Sequence, residues 1–145
     1  MKKINYIIIL GISLIILSCS YNTNESNTQT EQHHDNDPIE LDNGEKWKIV
    51  DDMLAHIRNM EADVNSFNEN EEKDYAALAV KLEVNIGLLT SNCTMKGKAH
   101  DELHKWLLPY IGLVDDLSNS TDDEEAIEHY TELQKSFMEF NTYFN

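Results

Sequence analysis

The sequence of 145 residues contains little basic charge, few glycines and prolines, and only two cysteines. Its 11 Lys and Arg residues stand against 27 Asp and Glu residues, which gives a formal net charge of -16. Such a chain lacks the positive field that binding to phosphate groups requires, so we expect no nucleic acid partner. Two cysteines permit at most one disulfide, which excludes a disulfide-stapled miniprotein, and the length excludes a multidomain enzyme.

The one long apolar run lies at the N-terminus, over residues 7–17, after two lysines. It is too short for a stable transmembrane span and has the layout of a signal peptide over residues 1–18. The sequence Ile-Leu-Ser-Cys, which ends at Cys19, resembles the lipobox of bacterial lipoproteins. That resemblance implies acylation of Cys19 and a membrane anchor made by its palmitate-type acyl chains. The alternative is an ordinary signal peptide in which the cysteine is coincidental.

The remaining chain divides by composition into a tether, a lead-in and a helical domain. Residues 19–38 have no aliphatic side chain and are predicted to form a disordered tether behind the lipidated cysteine. In residues 39–50 apolar and polar residues alternate around the turn sequence Asp42-Asn43-Gly44, which predicts a short extended lead-in segment.

Residues 51–145 carry four apolar stripes at spacings of three and four residues, which predict four helices. Their short connections favour antiparallel neighbours, so the expected fold is all-α, an up-down-up-down four-helix bundle. Asp51 or Asp52 is the predicted first N-cap, and Thr121 opens a predicted capping box before the fourth helix. Pro109 predicts a kink or an interruption in the third helix. The stripes include Cys93 in the second pattern, His100 and His104 in the third, and Ile127 and Phe144 in the fourth.

The densest group of distinctive side chains lies in residues 93–104, Cys-Thr-Met-Lys-Gly-Lys-Ala-His-Asp-Glu-Leu-His. His100 and His104 are four residues apart on one apolar helix face, pointing to the core, and two imidazoles at this spacing can share a metal ion. Cys93 and Met95 are expected to reach the same end of the bundle through the turn at Gly97. Thiolate, thioether and imidazole groups suit copper(I), or zinc with fewer sulfur ligands. The predicted metal ligands are therefore Cys93, Met95, His100 and His104.

Met53 and His56 are further candidate ligands, because the first and third helices begin at the same end of an antiparallel bundle. Asp101 and Glu102 are expected to face away from the histidine stripe, which argues against a calcium or magnesium site. Noncovalent haem held by one histidine and one methionine is a further alternative. A C-x-x-C-H motif is absent, which excludes covalent c-type haem.

Two interpretations of function remain open. In the first, a lipid-anchored envelope protein binds a soft metal ion, with copper expected first, for sequestration or transfer. In the second, a noncatalytic outer-membrane lipoprotein binds an envelope protein, and its cysteine, methionines and histidines only pack the bundle. Trp106 lies off the main stripe and is expected to cover a bundle edge or to mark a contact surface. No oxyanion-hole motif accompanies the thiol and imidazoles, so we expect no enzyme.

The motif C-T-M-x-G-x-x-H-D-x-L-H-x-W-L over residues 93–107, with the lipobox and the sequence N-G-x-K-W-K at residues 43–48, resembles small uncharacterised lipoproteins of Bacteroidetes-type bacteria. The resemblance covers most of the chain after the signal peptide. It implies a helical fold and a location in the cell envelope, with no defined activity. Ser20 after the lipidated cysteine implies the outer membrane, on its periplasmic or its surface face.

Overall fold

The computed structural model describes residues 37–69 and 71–145. They form four helices, α1 (Asp51–Phe67), α2 (Tyr75–Ser91), α3 (Lys98–Ser118) and α4 (Asp123–Tyr143). Each helix packs against the next in the chain, and α4 closes the ring against α1. The prediction of an all-α four-helix bundle is confirmed. The predicted signal peptide, the lipidation at Cys19 and nearly all of the tether lie outside the described residues.

The core forms where the apolar stripes of the four helices meet. In α1 the buried residues are Met53, Ile57, Met60, Val64 and Phe67, which recur every three or four positions and so share one face. In α4 the buried face begins at Ala126, whereas Ile127 is 52% exposed. The prediction that Ile127 joins the core is wrong, because one residue along a helix turns the side chain by about 100°. None of the helices in the described residues is long and apolar enough to span a membrane.

Two predicted helix starts are shifted by one residue. Val50 is the N-cap of α1. Asp51 and Asp52 lie in the first turn, where their negative charges interact favourably with the positive end of the helix dipole. Asp122 is the N-cap of α4 and accepts a 3.0 Å hydrogen bond from the Glu125 N–H. The Glu125 carboxylate accepts one from the Thr121 N–H at 2.8 Å. The N-cap is therefore one position later than predicted, and the bond back from Glu125 goes to the residue before the N-cap and not to the N-cap itself as in a capping box.

A kink or an interruption was predicted at Pro109, and the interruption is wrong, since α3 continues from Lys98 to Ser118 through the proline. Trp106, Leu107 and Tyr110 on either side of it are all buried against the bundle. Packing on both sides of the proline therefore outweighs the one helical hydrogen bond that its missing N–H removes.

The lead-in segment crosses one end of the bundle and pairs with the C-terminus. Asp42 and Glu45 exchange backbone hydrogen bonds of 2.9 and 3.0 Å around a turn in which Asn43 and Gly44 both have positive φ. The Trp47 N–H donates to the Tyr143 carbonyl at 2.8 Å, and the Asn145 N–H donates to the Trp47 carbonyl at 2.9 Å.

This pairing changes the expected end of the fourth helix. Phe144 is buried, as its place in the apolar stripe predicted, but its backbone is extended and it follows the last helical residue, Tyr143. The prediction that it belongs to the helix is wrong, because the chain leaves α4 there to run beside Trp47.

Candidate functional site

Two imidazoles lie side by side at the start of α3. Gly97, with a positive φ of 69°, precedes the helix, and His100 and His104 follow one turn apart. Their ring centroids are 4.1 Å apart and the ring planes are inclined by 50°. The His100 Nδ1 atom is 3.7 Å from the Asp101 Oδ1 atom.

The two histidines border the core and do not enter it. Both are half-buried, whereas Leu103 and Leu107 between and beside them are buried. Both imidazoles were expected to point into the core, and this expectation is wrong. Leu103 and Leu107 occupy the face of α3 that meets the other helices, and the imidazoles lie at its border. Half-buried imidazoles remain accessible to an ion from solvent.

The predicted thiol ligand lies in the connection between α2 and α3. α2 ends at Ser91, so Cys93 is two residues beyond the helix that was expected to carry it. Cys93 is half-buried and lines a shallow depression beside Asp51 and Asp52, at the start of α1. Neither His100 nor His104 is among the residues that line this depression. The thiol and the histidine pair therefore lie at the same end of the bundle but do not share this depression.

The remaining candidate ligands differ in their surroundings. Met95 and Met53 are buried, and both belong to the apolar core. His56 on α1 is half-buried, and its Nδ1 atom is buried with no hydrogen-bond partner among the described residues. A buried nitrogen in that state carries a desolvation cost that a bound group would remove. All three residues lie toward the end of the bundle where α1 and α3 begin and α2 finishes.

In residues 37–69 and 71–145, no three His, Cys, Asp or Glu side chains are arranged to hold a metal ion together. The structure thus brings His100 and His104 into contact and places a thiol and a thioether on the connection that leads to them. A third ligand would have to come from a methionine sulfur or from movement of that connection.

Glu102 was expected to face away from the histidine stripe, but its burial was not predicted from the sequence. It is the one buried charged residue among those described, at 3% exposure. Its carboxylate accepts hydrogen bonds from the Glu40 N–H at 2.8 Å and from the Lys105 ammonium at 2.9 Å. The i,i+3 spacing of Glu102 and Lys105 was a signal of their ion pair, but nothing in the sequence indicated that the lead-in segment covers this side of α3.

Trp106 is neither an edge cover nor a contact surface. It is 1% exposed, stacks on Tyr110 with ring centroids 4.9 Å apart, and lies 4.8 Å from the Phe140 ring. Its indole N–H donates to the Ser136 carbonyl at 2.9 Å. The sequence interpretation of Trp106 is wrong because α3 buries a wider face than a single stripe, and Trp106 faces α4.

Comparison of the chain with protein-family models gives no match. Comparisons with curated proteins and with solved structures give none either.

Proposed function

We propose that this protein is a lipid-anchored protein of the bacterial cell envelope that binds a soft metal ion, copper(I) first, for sequestration or transfer. The observation that carries the proposal is the 4.1 Å separation of the His100 and His104 rings. Imidazole nitrogens bind such ions at about 2 Å, so two ligating nitrogens lie within about 4 Å of each other. Rings this close can reach one ion by side-chain rotation alone.

The neighbour of His100 favours the same chemistry. The Asp101 carboxylate lies near the Nδ1 side of the ring, which leaves the Nε2 atom to face an ion. Carboxylates beside ligating histidines commonly select the tautomer and orient the ring in this way.

The sulfur ligands in this proposal come from the connection that precedes α3. Cys93 is half-buried outside a helix, so its thiol can move without opening the core. Met95 is packed against the core and would have to turn outward by rotation of its flexible side chain. Sulfur and imidazole ligands together favour copper(I) over calcium or magnesium. His56, with its unpartnered buried nitrogen, is a further candidate.

The envelope location in this proposal depends on the sequence of the N-terminal region. Its support is the lipobox that ends at Cys19 and the acidic composition of the chain. Anionic lipid headgroups repel an acidic surface, so attachment requires the acyl chains. Mass spectrometry of Cys19 in protein extracted from its own membrane would test this part by itself.

The test of the metal site is competition between the reduced full-length protein and a copper(I) chelator. We expect a sub-micromolar site in the natural chain and its loss in His100→Ala and His104→Ala, with a weaker site in Cys93→Ser. His129→Ala is the matched control, because His129 is a half-buried helical histidine whose partner is Glu125 on its own helix. Failure of the natural chain to compete, or equal loss in the His129 control, would contradict the proposal.

The second candidate is a noncatalytic interaction protein. It is favoured by the absence, among the described residues, of three side chains arranged as metal ligands. It predicts a metal-free protein after purification from the native membrane and unchanged function in Cys93→Ser. Elemental analysis of that protein distinguishes the two candidates.

A further inference from the structure

The helix α2 has a second apolar face that the bundle does not use. Leu78, Leu82 and Leu89 are buried in the core, whereas Val80 and Val84 are 56% and 58% exposed. The outward residues, here named the α2 stripe, are Ala77, Val80, Val84, Gly87 and Leu88. At 1.5 Å per residue the stripe is about 17 Å long.

The other large exposed apolar side chains of the described residues are scattered over different elements. They are Leu41, Val50, Leu108, Ile127 and Met138. Single exposed apolar residues are ordinary on a protein surface, whereas a continuous row on one helix marks a contact. The α2 stripe is therefore the surface that needs a partner.

Charge sets α2 apart from the other helices. It carries one lysine, Lys81, and one glutamate, Glu83, whereas α4 carries six acidic residues against one lysine. The whole chain has a formal net charge of -16, so two copies repel each other over most of their surfaces. Repulsion between copies is weakest where two α2 stripes meet.

We propose that the α2 stripe is the contact between two copies of this chain, packed with their α2 helices parallel. From their spacing, Lys81 and Glu83 lie along opposite edges of the stripe. A two-fold axis parallel to the helices brings the lysine edge of one copy to the glutamate edge of the other, on both sides. An antiparallel pair would bring like charges together along each edge.

Other occupants fit the stripe less well. A helix that lies on an anionic membrane has lysines and arginines around its apolar face, and α2 has only Lys81. A basic protein partner would be drawn to the acidic α4 and not to this neutral face. Gly87 and Ala77 also leave room for a second helix backbone to approach closely.

The contact is narrow, since one helix buries less than the roughly 800 Å² per partner of a standard stable interface. The dimer is therefore expected to be weak in dilute solution. This step rests on the lipid anchor of the proposed function: confinement of both copies to one membrane would raise their effective concentration, which favours a weak contact. Covalent capture in membranes is accordingly the suitable measurement.

The test uses the full-length chain in membranes, with Cys93→Ser as the background. Val80→Cys, Val84→Cys and Gly87→Cys are added one at a time, and mild oxidation is followed by non-reducing gel electrophoresis. We expect disulfide-linked dimers for all three, because each position faces its own counterpart in a parallel pair. Met138→Cys is the matched control, since Met138 is 69% exposed on α4 and should not self-link. The Cys93→Ser chain without an added cysteine is a second control, because any dimer that it forms must be linked through Cys19.

Dimers no more abundant than in the Met138 control would overturn the proposal and leave a different partner on the stripe. Capture at Val84 alone would overturn the parallel arrangement, because only the central residue of an antiparallel pair meets itself. Lys81→Glu should lower the capture at Val84→Cys several-fold, and addition of Glu83→Lys should restore it. Unchanged capture in both charge variants would also overturn the parallel arrangement.

Gly87→Glu should abolish capture with the fold intact, because a side chain there meets nothing within one copy.

Discussion

The Glu102 carboxylate on α3 accepts a hydrogen bond from the backbone N–H of Glu40, 2.8 Å away, and thereby joins the lead-in segment to the bundle. The ammonium of Lys105 binds the same carboxylate and also donates to the Pro38 carbonyl at 3.2 Å. The Trp47 indole N–H donates to the Glu40 carbonyl at 2.6 Å. These contacts hold residues 38–40 of the lead-in segment against the first turns of α3.

Glu102→Ala should release this attachment. Loss of a buried carboxylate leaves the Glu40 N–H and the Lys105 ammonium without their acceptor, which should lower the free energy of unfolding by roughly 2–3 kcal/mol. Urea denaturation measures the loss, and hydrogen exchange of residues 39–49 should become faster. Glu102→Gln keeps an acceptor for Glu40 and should lose less. Glu128→Ala, at an exposed position of α4, is the control. Equal exchange rates in the natural and Glu102→Ala chains would refute the attachment.

Trp106→Ala tests the burial of this indole. Removal of a buried tryptophan side chain costs about 3–5 kcal/mol, because it leaves a cavity beside Tyr110 and Phe140. Thermal or urea denaturation should show that loss, together with weaker near-ultraviolet circular dichroism. A surface position would lose well under 1 kcal/mol. A small effect on stability would restore the interpretation of Trp106 as a contact surface.

Periodicity was sufficient to predict the fold class, because the core depends on residues that repeat with the turn of a helix. Met53, Ile57 and Met60 illustrate this, since each is buried as its spacing requires. Ile127 shows where periodicity fails, since Ala126 and Ile127 fit neighbouring faces and only the packing of α4 selects between them. The pairing of Trp47 with Phe144 joins the lead-in segment to the residue that follows α4, which no local pattern encodes.

The candidate site was predictable only where its geometry is local. The contact of His100 with His104 follows from an i,i+4 spacing within one helix. The place of Cys93 depends on where α2 ends, and helix ends are less sharply encoded than helix interiors. The burial of Glu102 depends on the lead-in segment, which lies 62 residues earlier in the chain. Contacts across such separations depend on tertiary packing.

Glu125 should make stability depend on pH in the acidic range. Hydrogen bonds from the Thr121 N–H and then from its hydroxyl lower the pKa of the Glu125 carboxyl. Desolvation and, to a smaller extent, Asp122 act in the opposite direction, and nearby His129 lowers the pKa slightly. A lowered pKa in the folded state adds stability above the ordinary pKa of glutamate, which is lost as the pH falls through the lowered value. Glu125→Gln should therefore be less stable than the natural chain at pH 7, and the gap should close toward pH 3. Urea denaturation across this range measures the gap, with Glu128→Gln as the control. A gap that does not change with pH would show that hydrogen bonding to the ionised form is not the cause.

Two buried tyrosines offer opposite outcomes from the same substitution. The Tyr130 hydroxyl donates to the Val64 carbonyl at 2.8 Å and accepts from Gln134, whereas the Tyr110 hydroxyl has no hydrogen-bond partner among the described residues. Burial holds the pKa of Tyr110 far above its usual range, so this hydroxyl stays protonated at any ordinary pH.

Tyr130→Phe should therefore lower the free energy of unfolding by about 1–2 kcal/mol, because the Val64 carbonyl loses a donor. Tyr110→Phe should leave stability unchanged or raise it by up to about 1 kcal/mol, since it removes a polar group whose desolvation nothing offsets. Parallel urea denaturation of the two variants measures both effects, and each removes the same single oxygen from a buried ring. If Tyr110→Phe loses as much as Tyr130→Phe, the Tyr110 hydroxyl binds a group beyond the described residues, and a bound water within the bundle becomes the explanation.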